Sequence, residues 1–104
     1  MNKQLKKGVL DICVLHVLID RDAYGYELLK ELQSALDVKE STVYPILTRL
    51  SKENLLTSYM APSSDGPPRK YYKITETGLK EYHAKKQEWL SFQEVITDFL
   101  NLKN

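Results

Sequence analysis

Two short segments hold the residue types that could meet a charged polymer. The first is Ser41-Thr42-Val43-Tyr44-Pro45-Ile46-Leu47-Thr48-Arg49-Leu50, and the second, further along, is Gly66-Pro67-Pro68-Arg69-Lys70-Tyr71-Tyr72. In the first, Val43, Ile46, Leu47 and Leu50 recur at i, i+3, i+4 and i+7, which turns one helical face inward and leaves Ser41, Tyr44, Pro45, Thr48, Arg49 and Lys52 outside. That outer face is small, polar and basic. Hydroxyls and amines on a closely approaching helix suit the base edges of a major groove, whereas carboxylates there would repel phosphate. The second segment reads as the basic wing of a hairpin. The candidate DNA contacts are therefore Ser41, Thr42, Tyr44, Pro45, Thr48, Arg49 and Lys52 on the helix, with Arg69 and Lys70 on the wing.

Each of these residues has a plainer alternative. Tyr44 could pack at the helix edge, and Arg49 could pair with Glu53 one turn later, at a worth of a few tenths of a kcal/mol. Arg69 and Lys70 could be solvated strand charges, although their place beside Pro67-Pro68 at the base of a hairpin favours phosphate or the minor groove.

The elements that would position these residues follow from the flanking pattern. A helix is expected over about residues 5–19, where Val9, Leu10, Ile12, Cys13, Val14, Leu15, Val17, Leu18 and Ile19 cover nearly the whole circumference. A helix so apolar must be buried on two sides, one against its own domain and the other against a further helix or a second subunit. Asp22 is placed to cap a second helix over about residues 24–35, with Leu28, Leu29, Leu32 and Leu36 inward. With the third helix it makes a helix-turn-helix pair. If Thr42 caps that third helix, Pro45 falls where the amide has no intrahelical partner anyway. If the helix starts earlier, one backbone bond is missing and a slight kink follows. The third helix ends at Lys52-Glu53-Asn54, since asparagine can take the left-handed conformation of a helix terminus.

Residues 55–60 and 69–74 are strand-like, separated by a loop over residues 61–68 rich in proline, serine and glycine. Thr75 caps the last helix, with Glu76 in its first turn, and that helix extends to about residue 100. Tyr82, Trp89 and Ile96 lie seven apart on it, with Phe92 and Phe99 between, giving a seam suited to docking on another helix. The fold class is mainly α with a small β-hairpin, a winged helix-turn-helix followed by a C-terminal dimerisation helix. Residues 1–74 form the DNA-binding domain and residues 75–104 the dimerisation helix.

Composition bounds the remaining possibilities. A chain of 104 residues, 42% hydrophobic and 28% charged, is one ordinary globular domain. Net charge is only +1, but residues 1–73 hold eleven Lys or Arg against nine Asp or Glu, while residues 74–104 hold four against five. This modest bias permits a DNA footprint. The longest apolar run is too short to span a bilayer and lacks the form of a signal peptide, and Cys13 stands alone, so a cytoplasmic protein without membrane contact is expected. No Gly-rich phosphate loop, nucleophile elbow or metal-ligand spacing is present in the sequence, so neither catalysis nor a cofactor is expected.

In the order helix, helix, Ser41 to Leu50, hairpin with Arg69-Lys70-Tyr71-Tyr72-Lys73-Ile74-Thr75-Glu76-Thr77-Gly78, and one long helix, the chain resembles the PadR-like transcriptional regulators. Tyr24-Gly25-Tyr26-Glu27-Leu28 matches the usual start of that family's second helix, and the resemblance extends over about residues 5–100. The single helix after the wing is similar to the family's short branch, and Asn54 stands where glycine is usual. The resemblance implies a repressor that dimerises through its C-terminal helix and releases DNA when a small molecule or other signal intervenes.

On that reading the partners are double-stranded DNA with a palindromic operator, a second copy of the chain and a planar aromatic effector. Tyr82, Trp89, Phe92, Ile96 and Phe99 are the candidate dimerisation residues. The candidate effector cleft takes Trp89 from the last helix and Ile12, His16 and Asp11 from the first, because a flat ring in an interface can accept flat ligands by offset stacking. The plainer alternative makes Trp89 core, His16 a satisfied histidine and Asp11 a surface carboxylate. A rival of another class is a winged-helix adaptor that binds protein and not DNA.

Overall fold

The apolar first helix is covered on one side and only partly covered on the other within a single chain. In the computed structural model, which describes residues 8–102, it is α1 (Val9–Val17). Leu10, Val14 and Leu15 enter the core formed with the next two helices, while Ile12, Cys13 and Val17 are partly buried at its margin. The expected start before residue 8 lies outside the described residues. The helix ends at Val17, earlier than expected, as the Leu18 and Ile19 amides donate to Leu15 and His16 at i−3 spacing (3.1 and 3.2 Å).

Ala23–Tyr24 form a two-residue strand, β1, that the sequence reading missed, and α2 (Gly25–Ala35) follows at once. That strand displaces the expected cap. Asp22 is held outside the helix start and instead accepts a hydrogen bond from the Tyr59 hydroxyl at 2.6 Å, while the Tyr24 amide donates to the Glu27 carboxylate at 3.1 Å. Leu28, Leu29 and Leu32 face inward and Leu36 is partly buried, as the spacing predicts.

The third helix, α3, spans Glu40–Lys52 and starts before Thr42, so Thr42 is not its cap. Pro45 lies inside the helix, and the Ser41 carbonyl thereby loses its usual i+4 donor. The far end is closed as expected: Asn54 has φ 63°, and the Leu55 and Asn54 amides donate to Leu50 and Ser51 (3.0 and 3.1 Å), satisfying the last carbonyls.

The expected loop over residues 61–68 is mostly strand. β2 (Leu56–Ser63) and β3 (Gly66–Ile74) are antiparallel and pair as far out as Ser63 with Gly66, with an irregularity between Ala61 and Ser63. The sheet order is β1-β3-β2, and that irregularity accommodates the three prolines. The β2–β3 register passes from Ala61 opposite Arg69 directly to Ser63 opposite Gly66, so Pro62, Pro67 and Pro68 all fall at the irregularity, where the regular ladder is interrupted.

The last helix, α4 (Glu76–Asn101), begins at Thr75, whose hydroxyl accepts from the Gly78 amide at 2.9 Å. The core lies among α1, α2, α3 and the sheet, with Val14, Leu15, Leu28, Val43, Leu47 and Leu50 fully buried. Tyr82 is the last α4 residue to enter it, and the remainder of the helix stands clear, giving the chain its elongated extents of 57 × 27 × 21 Å.

Candidate nucleic-acid interface

The inward face of α3 is fixed by Val43, Leu47 and Leu50, all buried, which leaves Ser41, Pro45, Thr48, Arg49 and Lys52 exposed and Thr42 and Tyr44 half-buried. The Thr48 hydroxyl donates to the Tyr44 carbonyl at 3.2 Å, so its oxygen is still able to accept from a base amine. Tyr44 leans toward the start of α2. Burial, followed by the nearby Glu40 charge, pushes its phenol pKa above the ordinary value, and Tyr72 and Tyr26 are also close enough to contribute.

Arg49 is more committed than its position suggests. One nitrogen, Nη2, donates to Asp11 Oδ1 at 2.6 Å and the other, Nη1, lies 3.5 Å from Glu53. The hydrogen bond to Asp11 is the main reason its guanidinium pKa is raised. The Glu53 partner was open to a sequence reading, but Asp11 was not, since it belongs to α1. With both terminal nitrogens engaged, Arg49 ties the outer helix to α1. This also corrects the place of Asp11. Its carboxylate is nearly buried against Arg49 and does not line the cleft assigned to it.

Arg69 and Lys70 are adjacent in β3 and so point to opposite faces of the sheet. The Arg69 guanidinium lies 4.4 Å from the Tyr24 ring centroid and pairs with Asp65 at 3.3 Å. On that same face the Tyr59 and Tyr71 rings stack, and the Tyr24 ring meets Tyr71 edge-on. Lys70 is on the other face, over the Tyr72 ring at 5.5 Å, on the side that carries Tyr44. The structure thus brings Lys70, Tyr72 and Tyr44 toward one another and sets Arg69 apart.

Residues the sequence reading did not single out enlarge this surface. Tyr26 on α2 is exposed, with the Lys30 ammonium 5.2 Å from its ring centroid. The i, i+4 aromatic and basic spacing was the available signal.

A groove of about 670 Å³ opens on the other side of the chain between α1, the end of α2 and α4. Ile12, His16 and Trp89 all line it, together with Cys13, Leu36 and Leu90. His16 Nδ1 and the Tyr82 hydroxyl are 2.7 Å apart at its wall. Tyr82 is therefore not a seam residue. It is only 3% exposed, because it packs into the core of its own chain, whereas Trp89, Phe92, Ile96 and Phe99 remain accessible. Burial pushes the Cys13 thiol pKa up, away from reactive thiolate. Among the described residues no group of three His, Cys, Asp or Glu side chains could hold a metal ion, and no helix is long and apolar enough to cross a membrane.

Comparison with known proteins agrees with this architecture. Residues 14–84 match the transcriptional regulator PadR-like family. A PadR-like transcriptional regulator of Bacillus cereus is 38% identical, the match covering 95% of this chain and 98% of that one, with a TM-score of 0.85. A Streptococcus transcriptional regulator is 34% identical over 96% of this chain and all of its own (100%), with a TM-score of 0.85. A regulator from Clostridium thermocellum is 33% identical over 95% of this chain and 100% of its own, with a TM-score of 0.83. The chain belongs to the PadR-like family of transcriptional regulators. It is a DNA-binding regulator with a winged helix fold and a C-terminal helix, and not an enzyme.

Proposed function

We propose that the protein is a homodimeric repressor of a palindromic operator, with residues 1–74 reading DNA and residues 75–104 joining the subunits. The observation that carries this reading is the exposed polar face of α3 next to a wing whose Lys70 lies on the same side as Tyr44. Ser41, Thr42, Tyr44, Pro45, Thr48 and Lys52 meet the major groove. Lys70 and Arg69 hold the flanking backbone from the two faces of the wing, and Arg49 acts mainly by fixing α3 on α1.

Binding titrations at several salt concentrations test the wing. Lys70→Ala should weaken binding to all duplexes alike and reduce the slope of log affinity against log salt by about one. An unchanged slope would remove Lys70 from the interface.

The exposed apolar residues of α4 support dimerisation, and the groove supports an effector. A planar aromatic molecule lying against Trp89, Ile12 and His16 relieves repression to the extent that it prefers the free conformation over the DNA-bound one. Such compounds should quench Trp89 fluorescence and lower DNA affinity. Because Trp89 is 38% exposed, Trp89→Ala should abolish the response and keep the fold. A panel of aromatic ligands without effect on either signal would contradict the effector role.

A further inference from the structure

The start of α2 contains a glycine that its backbone does not require. Gly25 is the first residue of the helix and its φ lies outside the left-handed region. Alanine is the better helix former, by up to about 1 kcal/mol in a helix interior. What the absent side chain does provide is room for Tyr44. A Cβ built on Gly25 would lie 2.7 Å from Tyr44 Cε1, closer than real Cβ atoms approach a neighbour, with the hydroxyl oxygen at 3.2 Å and Cζ at 3.4 Å. All three contacts are with the far end of one side chain, and none is with backbone.

We propose that Gly25 is a positioning residue for DNA recognition: by lacking a Cβ it lets the Tyr44 ring lie across the start of α2 and fixes where its phenol meets DNA. The inference rests on the reading of Tyr44 as a DNA contact. Tyr44 belongs to α3, and Lys39, Glu40, Ser41 and Pro45 lie around it on the surface. The ring therefore has space to swing outward if a methyl group displaces it. The burial that raises the Tyr44 pKa agrees with a ring seated against the protein. A methyl group at Gly25 should accordingly leave the core as it is and move the phenol from its place. The fold tolerates the change while the interface does not.

The test is a double-mutant cycle in the full chain, using Gly25→Ala, Tyr44→Ala and the double variant on a duplex obtained by binding-site selection. Gly25→Ala should melt at or above the wild-type temperature and bind on the order of tenfold more weakly, the scale of one hydrogen bond to a charged group. In the Tyr44→Ala background the same change should have no further effect. In protein labelled at tyrosine, the Tyr44 ring resonance should shift in Gly25→Ala without DNA present. An unmoved ring, unchanged affinity in Gly25→Ala, or a loss that persists after Tyr44 is removed would each overturn the proposal. If Tyr44→Ala alone leaves affinity intact, the contact reading of Tyr44 fails and the proposal falls with it. If Tyr44→Ala weakens binding and Gly25→Ala does not, the positioning role alone fails.

Discussion

Gly78→Ala should destabilise the protein by about 3 kcal/mol, the upper end of what an added methylene costs in a packed site, and lower the melting temperature by more than about 10 °C. A Cβ at Gly78 would lie 2.1 Å from the Leu55 carbonyl oxygen, 3.0 Å from its carbonyl carbon and 2.9 Å from Ile74 Cγ1. The oxygen has little freedom to move. It accepts from the Thr75 amide at 3.1 Å and shares the Thr75 hydroxyl, 3.1 Å away, with the Asn54 carbonyl at 2.7 Å, and the same hydroxyl accepts from the Gly78 amide. These bonds join the end of α3 to the start of α4, so relief of the clash must separate those two elements or break the cap. Gly66 is the control. Nothing lies within 4 Å of its absent Cβ, and Gly66→Ala should melt like the wild type. Thermal unfolding followed by circular dichroism checks both, and coincident curves for Gly78→Ala and wild type would contradict the packing described.

The second large effect is expected from the far half of α4. Phe92, Val95, Phe99 and Leu100 are 63–67% exposed, a run of apolar surface that soluble monomers seldom present. Phe92→Lys with Phe99→Lys should leave the protomer's core intact, because neither ring reaches it, and should convert a dimer to a monomer in sedimentation at micromolar concentration. A dimer places two α3 helices on one duplex, so its loss removes the second, intramolecular binding step. Operator affinity should fall by about 10²- to 10⁴-fold. A variant that still sediments as a dimer would show that these rings do not form the interface.

The parts of the fold legible in the sequence are those set by local periodicity and caps. The inward residues of α3, the left-handed Asn54, the Thr75 cap and the length of α4 all follow from neighbours within a turn or two. Long-range pairing decided what was missed. Two residues of β1 make a strand only because β3 supplies partners Tyr72 and Tyr71, and that pairing moves Asp22 away from its cap. The prolines near the hairpin tip suggest a loop, because only the paired register shows that they fall at an irregularity between two strands that continue past them. Heptad spacing on α4 could not tell a residue docking on its own α1 from one awaiting a second subunit, and Tyr82 proved to be the former. In the site, the outer residues of α3 could be read from the pattern. The Asp11 to Arg49 bond and the seat of Tyr44 at Gly25 could not, since each depends on how two helices cross.

Binding-site selection from random duplexes with the full chain tests the central claim most directly. A dimer with one outward α3 per subunit should enrich an inverted repeat whose half-sites are centred about 10 to 10.5 base pairs apart, or a multiple of that, on one face of the duplex. Recovery of no common sequence, or of a single half-site without a symmetry mate, would contradict the account.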